Sequence, residues 1–188
     1  MKGVCKVCGC TMKNPCFSHR YGFCWWPTFE EDICSHCANP EIKDDPNVIH
    51  CVHDMEFPVL SVHQPYAQML VEGKKPYEFR GWKLPERYVG QRIFIHATKT
   101  LETTYDEVFA CGNKDAFDEC WKKAFNYNLH TMIIGSVVFG KTIEPLIDVV
   151  NFDGQPVQVY RWPVQDPVKL DYPLESIPGK QGIWKIKF

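Results

Sequence analysis

The chain has 188 residues, of which 45% are apolar and 23% charged; this composition describes one domain, or one small domain with an appendage, and excludes wholesale disorder and collagen-like sequence. A formal net charge of −2 argues against coating nucleic acid by bulk basic charge, so any such site is a local patch. The longest uncharged apolar runs, such as 132–140, fall well short of the ~20 residues of a membrane span, and Met1-Lys2-Gly3 leads into cysteines instead of an apolar signal region. An intracellular, cytoplasmic protein is therefore expected.

Residues 1–57 are rich in cysteine, aromatics and turn formers and hold five Lys or Arg against eight Asp or Glu, net −3. Asn39-Pro40 through Asp44-Asp45-Pro46-Asn47 reads as a linker. Composition changes near residue 58, where a boundary is placed. Beyond it, 59–63 suits a short strand, and Gln64-Pro65 with Tyr66, Met69 and Leu70 suits a helix closed by Gly73. Tyr77 and Phe79 mark a second strand, and 92–97, rich in β-branched and aromatic residues, a third. Helical patterns follow at 103–109 and 114–125. An Ile/Val/Phe run at 132–143, then 157–161 and 183–188, complete a set of about five or six strands. Strands interrupted by unequal helices predict an α+β architecture with a mainly β core.

Eight of the ten cysteines fall in the first 51 residues. In a reducing compartment such clustering points to metal more than to disulfides. Cys5-Lys6-Val7-Cys8-Gly9 and Cys34-Ser35-His36-Cys37 are two Cys-x-x-Cys pairs separated by 25 residues, a spacing that lets four thiolates converge on one tetrahedral zinc. Cys10, Cys16 and Cys24 supply three ligands of a second site, with His19, His36, Cys51 and His53 as candidates for the fourth. No spacing matches the ferredoxin patterns, so zinc is expected ahead of an iron–sulfur cluster. A segment this short buries too little apolar surface to hold itself together, and bound metal would supply its folding energy. Its order of cysteines resembles a short cysteine-rich module of phage-encoded and bacterial proteins, a likeness over about 33 residues that names no activity. Being acidic, the module is better suited to packing on the main domain or on a protein partner than to phosphate.

Leu60-Ser61-Val62-His63-Gln64-Pro65-Tyr66-Ala67, followed by Gly73-Lys74-Lys75-Pro76-Tyr77-Glu78-Phe79-Arg80-Gly81-Trp82, resembles the activating-signal-cointegrator homology (ASCH) domain of the PUA-like superfamily. Agreement continues through Ile93-Phe94-Ile95-His96-Ala97 and Ile183-Trp184-Lys185-Ile186, so the likeness spans residues 58–188, with Tyr66 standing where many relatives carry Trp. The resemblance implies a small β-barrel with flanking helices and a cleft beneath the first helix, in a superfamily rich in RNA-binding and modified-base-recognising domains. Some small ASCH proteins are amidohydrolases on acylated cytidine that use Lys, Thr and Glu, and others are ribonucleases. Lys75 matches that lysine, but Glu78 occupies the threonine position.

Read by themselves, Lys75, Glu78 and Arg80 bring two cations and an acid within six positions, and Glu78 and Arg80 share one face of an extended strand. Arg offers a bidentate fork for phosphate or base edges, Lys a compact charge, and Glu an acceptor or a partner that positions Arg. Residues 72–92 carry six cations against three acids, and Lys180, Lys185 and Lys187 add to the patch if the last strand packs nearby. Tyr66, Tyr77 and Trp82 lie among these cations, a mixture suited to stacking bases. With Gln64 from the motif and with His63 and His96 at strand ends, they complete the candidate ligand site, which comprises His63, Gln64, Tyr66, Lys75, Glu78, Arg80, Trp82 and His96. The expected function is a nucleic-acid-binding module for RNA or single strands that seats one nucleobase, modified or not. The alternatives are a hydrolase using Lys75 and Glu78 on a nucleoside or nucleic acid, and a protein-interaction module in transcription.

Overall fold

The computed structural model describes residues 3–46, 48–50, 52, 55–102, 114–126, 128–146 and 155–187. The helical pattern at 103–109 and the candidate ligands Cys51 and His53 lie outside the described residues.

The front of the chain builds a small sheet from β1 (Phe17–Ser18) and β2 (Gly22–Phe23), two single-turn helices, α1 (Ser35–Ala38) and α2 (Pro40–Lys43), and β3 (Val48–Ile49), which pairs with the free side of β1. The stretch read as a linker is thus partly helical. Asn39 Oδ1 accepts a hydrogen bond from the Glu41 amide at 2.9 Å and Pro40 sits in the first turn, so the Asn-Pro pair that signals a turn here serves as an N-cap and helix start.

The remainder forms β4 (Glu56–Gln64), α3 (Tyr66–Val71), β5 (Tyr77–Arg80), β6 (Arg92–Leu101), α4 (Lys114–Asn126), β7 (Met132–Phe139), β8 (Ile143–Leu146), β9 (Val159–Leu174) and β10 (Ile183–Lys187). The architecture is mixed α+β, with few helices and one large sheet in the order β10-β4-β6-β7-β9-β5 and β8 also paired to β9. Among the described residues only β4 and β6 pair in parallel. Among the described residues no helix is long and apolar enough to cross a membrane.

β9 shapes the sheet. Its last eleven residues, from Val164, lie against β7, while Val159 to Pro163 pair with β5 and β8, so one strand of 16 residues runs through both halves. Only 157–161 reads as strand in the sequence because Pro163, Pro167 and Pro173 interrupt the rest. Register shifts in the β7–β9 ladder accommodate that interruption. The bend brings Trp162 of β9 onto Leu60 of β4, Ile95 of β6 and Phe139 of β7 in one core, which α3 covers with Ala67, Leu70 and Val71. Gly135 makes that cover fit: a Cβ there would stand 2.3 Å from the Val168 carbonyl oxygen and 2.6 Å from Val71 Cγ1.

Alternation along β4 and β6 sends Phe57, Val59 and Phe94 to the opposite face, where Ile133 and Leu170 join them. The covering residues on this face are Phe17 and Val52 of the front segment, with the Phe17 ring centroid 5.3 Å from Phe94 and 5.9 Å from Phe57. The core therefore runs continuously across residue 58.

Candidate functional site

A cleft of about 670 Å³ opens where β4, β5 and β6 meet the segment before β10. Alternation on β5 points Glu78 inward, where it is 3% exposed, and the turn after α3 delivers Lys75, also 3% exposed, to the same spot. Lys75 Nζ donates to Glu78 Oε2 at 2.7 Å. Arg80 Nε stands 2.8 Å from Glu78 Oε1 but off the N–H axis, an ion pair more than an aligned hydrogen bond, while another guanidinium nitrogen donates to the Ser61 carbonyl at 2.9 Å. Burial alone would push the Glu78 carboxyl up, yet Lys75 and Arg80 together hold it below the ordinary range. The Lys75 ammonium also lies 5.1 Å from the centre of the Tyr66 ring and 5.2 Å from that of Phe79, both on the cleft wall.

Two further cations line the cleft, Lys99 from the outer end of β6 and Lys180 from the loop before β10, both exposed. Among the described residues, Lys75, Lys99 and Lys180 with Arg80 thus stand against a single carboxylate, Glu78, whose charge is already engaged. Hydroxyls of Ser61, Thr98, Thr100 and Thr131 supply neutral donors and acceptors. His63 is exposed at the rim. His96 is 1% exposed, and its Nε2 lies 2.8 Å from the Ile177 carbonyl, which fixes the proton on Nε2 and leaves Nδ1 an acceptor without a partner among the described residues. Burial lowers its pKa and keeps the ring neutral. Gly179 passes so close above that a Cβ would lie 2.6 Å from His96 Cε1.

Of the eight residues proposed from the sequence, His63, Tyr66, Lys75, Glu78, Arg80 and His96 line this cleft. Gln64 and Trp82 do not. Gln64 is fully buried, donating to the Leu129 carbonyl at 3.0 Å and accepting from the Gln68 amide at 3.1 Å, and so ties the start of α3 to the loop before β7. Trp82 packs edge-on to Trp162 with centroids 4.6 Å apart, as part of the core. Lys99 is absent from the sequence proposal because only register on β6 brings it round. Of the C-terminal cations Lys180, Lys185 and Lys187 that the sequence adds to the patch, Lys180 lines the cleft and the other two do not.

The described cysteines of the front segment form a cluster of their own, apart from Cys120 of α4. Cys5, Cys8, Cys10 and Cys34 have sulfurs all within 4.8 Å of one another, as have Cys10, Cys16, Cys24 and Cys34. These clusters have the donor chemistry to hold a metal ion. Cys37, the second cysteine of the Cys34 pair, belongs to none of these sets. Backbone N–H groups of Cys34, Cys8 and Val7 outweigh burial to bring Cys5 down to about 6, and the Cys16 thiol likewise brings Cys24 to about 6. Burial pushes Cys34 up to about 11, and Cys10 and Cys37 higher; Cys16 is raised first by its bond to Cys24. Thiols packed so closely share protons until a cation replaces them. The sequence search missed His50, whose Nδ1 lies 3.1 Å from Cys16 Sγ. Of the proposed fourth ligands, His19 and His36 have ring nitrogens without partners among the described residues and belong to none of these sets.

The ASCH domain family model matches residues 60–145. No curated protein matches the chain. Among solved structures the chain is similar to the crystal structure of ASCH from Zymomonas mobilis, at 14% identity over 69% of this chain and 87% of that one, with a TM-score of 0.43. Two mutant forms of that protein match at 13% identity, 69% and 89% coverage and TM-score 0.42, and at 15% identity, 72% and 92% coverage and TM-score 0.42.

Proposed function

We propose that the ASCH domain of this chain binds single-stranded RNA and seats one nucleobase, modified or not, in the cleft at Lys75, Glu78 and Arg80, with the cysteine module as a zinc-held accessory. The observation that carries the reading is the charge of the cleft wall: among the described residues, four cations against one carboxylate, in a protein whose formal net charge is −2. Its volume of about 670 Å³ is in the range of small-ligand sites. Lys99 and Lys180 at the mouth suit phosphates, the Arg80 fork and the hydroxyls suit base edges, and Tyr66 offers a ring to stack on. Zinc is the ion that fits a donor set made almost wholly of thiolates at tetrahedral spacing.

A labelled single-stranded oligoribonucleotide titrated at two salt concentrations tests this. With two or three phosphates neutralised, log affinity should fall against log salt with a slope of about −2. Lys99→Ala and Lys180→Ala, both at exposed positions, should each weaken binding roughly three- to tenfold. Unchanged affinity in the double variant would place the contact surface elsewhere. Hydrolysis is disfavoured by the 2.7 Å contact to Glu78, because an ammonium held by a carboxylate is a poor nucleophile. Little deacetylation of N4-acetylcytidine is expected by chromatography, and robust turnover abolished by Lys75→Ala would promote the hydrolase reading instead.

A further inference from the structure

We infer that the cysteine module is a two-metal centre, with Cys5, Cys8, Cys34 and Cys37 around one ion and Cys10, Cys16, Cys24 and His50 around a second beside it. This rests on the zinc reading above and extends it in number and in ligand. Seven side-chain donors fall in three overlapping sets, Cys5 with Cys8, Cys10 and Cys34, Cys10 with Cys16, Cys24 and Cys34, and Cys8 with Cys16 and His50; Cys37 completes the Cys-x-x-Cys pair with Cys34, and a tetrahedral ion accepts four. A single ion would leave Cys10 and Cys16, both fully buried, with only other sulfurs and the His50 ring as partners.

Distances agree with two tetrahedra. Zinc–sulfur bonds of about 2.3 Å at tetrahedral angles put ligand sulfurs about 3.8 Å apart. Cys8 and Cys34, which share the first ion, are 3.8 Å apart, and Cys10 and Cys24, which share the second, 3.7 Å. The Cys8 and Cys16 sulfurs are separated by 3.5 Å, which sets the two groups in contact. Cys10 and Cys34 lie within reach of both four-cysteine groups, as expected of neighbouring ions.

His50 decides the count. Three thiolates of the second group need a fourth donor, and the residue after β3 presents the exposed His50 imidazole to Cys16 at 3.1 Å, in a set that also takes in Cys8 at the junction with the first group. β3 pairs with β1 through Phe17–Ile49, and Cys16 directly precedes that pair, so backbone register puts His50 and Cys16 side by side. His36 has neither ring nitrogen bonded to a partner among the described residues and lies in none of the donor sets; unlike Cys37, which also lies outside them, it completes no Cys-x-x-Cys pair, and it is the control.

Elemental analysis of the full-length protein purified without chelators should give two zinc ions per chain. His50→Ala changes an exposed residue and should release one ion to a chromogenic chelator at least tenfold faster while the other leaves at the wild-type rate, since even outer partners of metal ligands are worth about 10- to 100-fold in affinity. His36→Gln should release both ions as the wild type does. One ion per chain would overturn the two-metal centre and leave the zinc reading standing. Iron in place of zinc, or no metal, would overturn both. Two ions with unchanged release from His50→Ala, or with faster release from His36→Gln, would overturn the ligand assignment.

Discussion

His19 is wedged against Phe17 and Phe94, with ring centroids 5.3 and 5.1 Å away, and its Nδ1 has no hydrogen-bond partner among the described residues. Burial, assisted by Arg92 and opposed by Asp166, brings its pKa from 6.5 down to about 4. An unfolded chain therefore binds this proton first, so His19 contributes nothing to pH dependence above 6.5, and stability falls as pH drops from there towards 4. The full effect is about 3 kcal/mol. His19→Phe should flatten that part of the acid limb, seen as a smaller loss in urea midpoint between pH 7 and pH 5 than in the wild type; parallel losses would show that the imidazole titrates normally. Lys75 belongs to the same class of buried polar group. Lys75→Met should destabilise by about 3 kcal/mol, because Glu78 keeps Arg80 but loses its closest counter-charge inside the fold. A chemical denaturation curve measures it, and a cost below about 1 kcal/mol would mean that solvent screens the pair.

At the level of elements, α3 is held to β7 by the absence of a side chain at Gly135. Gly135→Ala sets a methyl 2.3 Å from the backbone carbonyl of Val168, which no rotamer change relieves, and should cost about 3 kcal/mol or more by thermal or urea denaturation. A cost near zero would show that α3 and β9 shift freely. Regular alternation made β4, β5 and β6 legible in the sequence, and with them Lys75, Glu78 and Arg80, which sit within one turn and one strand. β9 was only partly legible, because three prolines break its pattern and its pairing is with residues far away in sequence. Gln64 and Trp82 show the converse: their neighbours in the motif line the cleft, while strand alternation and a turn send these two side chains into the interior. His50 left no sign, since a lone histidine becomes a metal-ligand candidate only when β3 pairs with β1.

Across the whole molecule, the front segment and the sheet share one apolar layer, with Phe17 and Val52 closing over Phe57, Val59, Phe94, Ile133 and Leu170. A chain lacking residues 1–55 should bare that face and elute from size exclusion as oligomers or aggregates; a monodisperse monomer of unchanged melting temperature would show that the sheet is self-sufficient. The same layer sets a timetable for synthesis. All eight donors of the inferred metal centre lie between Cys5 and His50, so they leave the ribosome before any strand of the large sheet. Leu170, the last of the residues that seat Phe17, follows His50 by 120 positions, and at about 5–20 residues per second it appears roughly 6–24 s later. The nascent front piece thus waits with Phe17 uncovered, and the metal of the inferred centre is a partner it can meet before the sheet. If the inferred centre forms in this interval, scarcity of the ion would act first on newly made chains, before Phe17 finds its seat on the sheet.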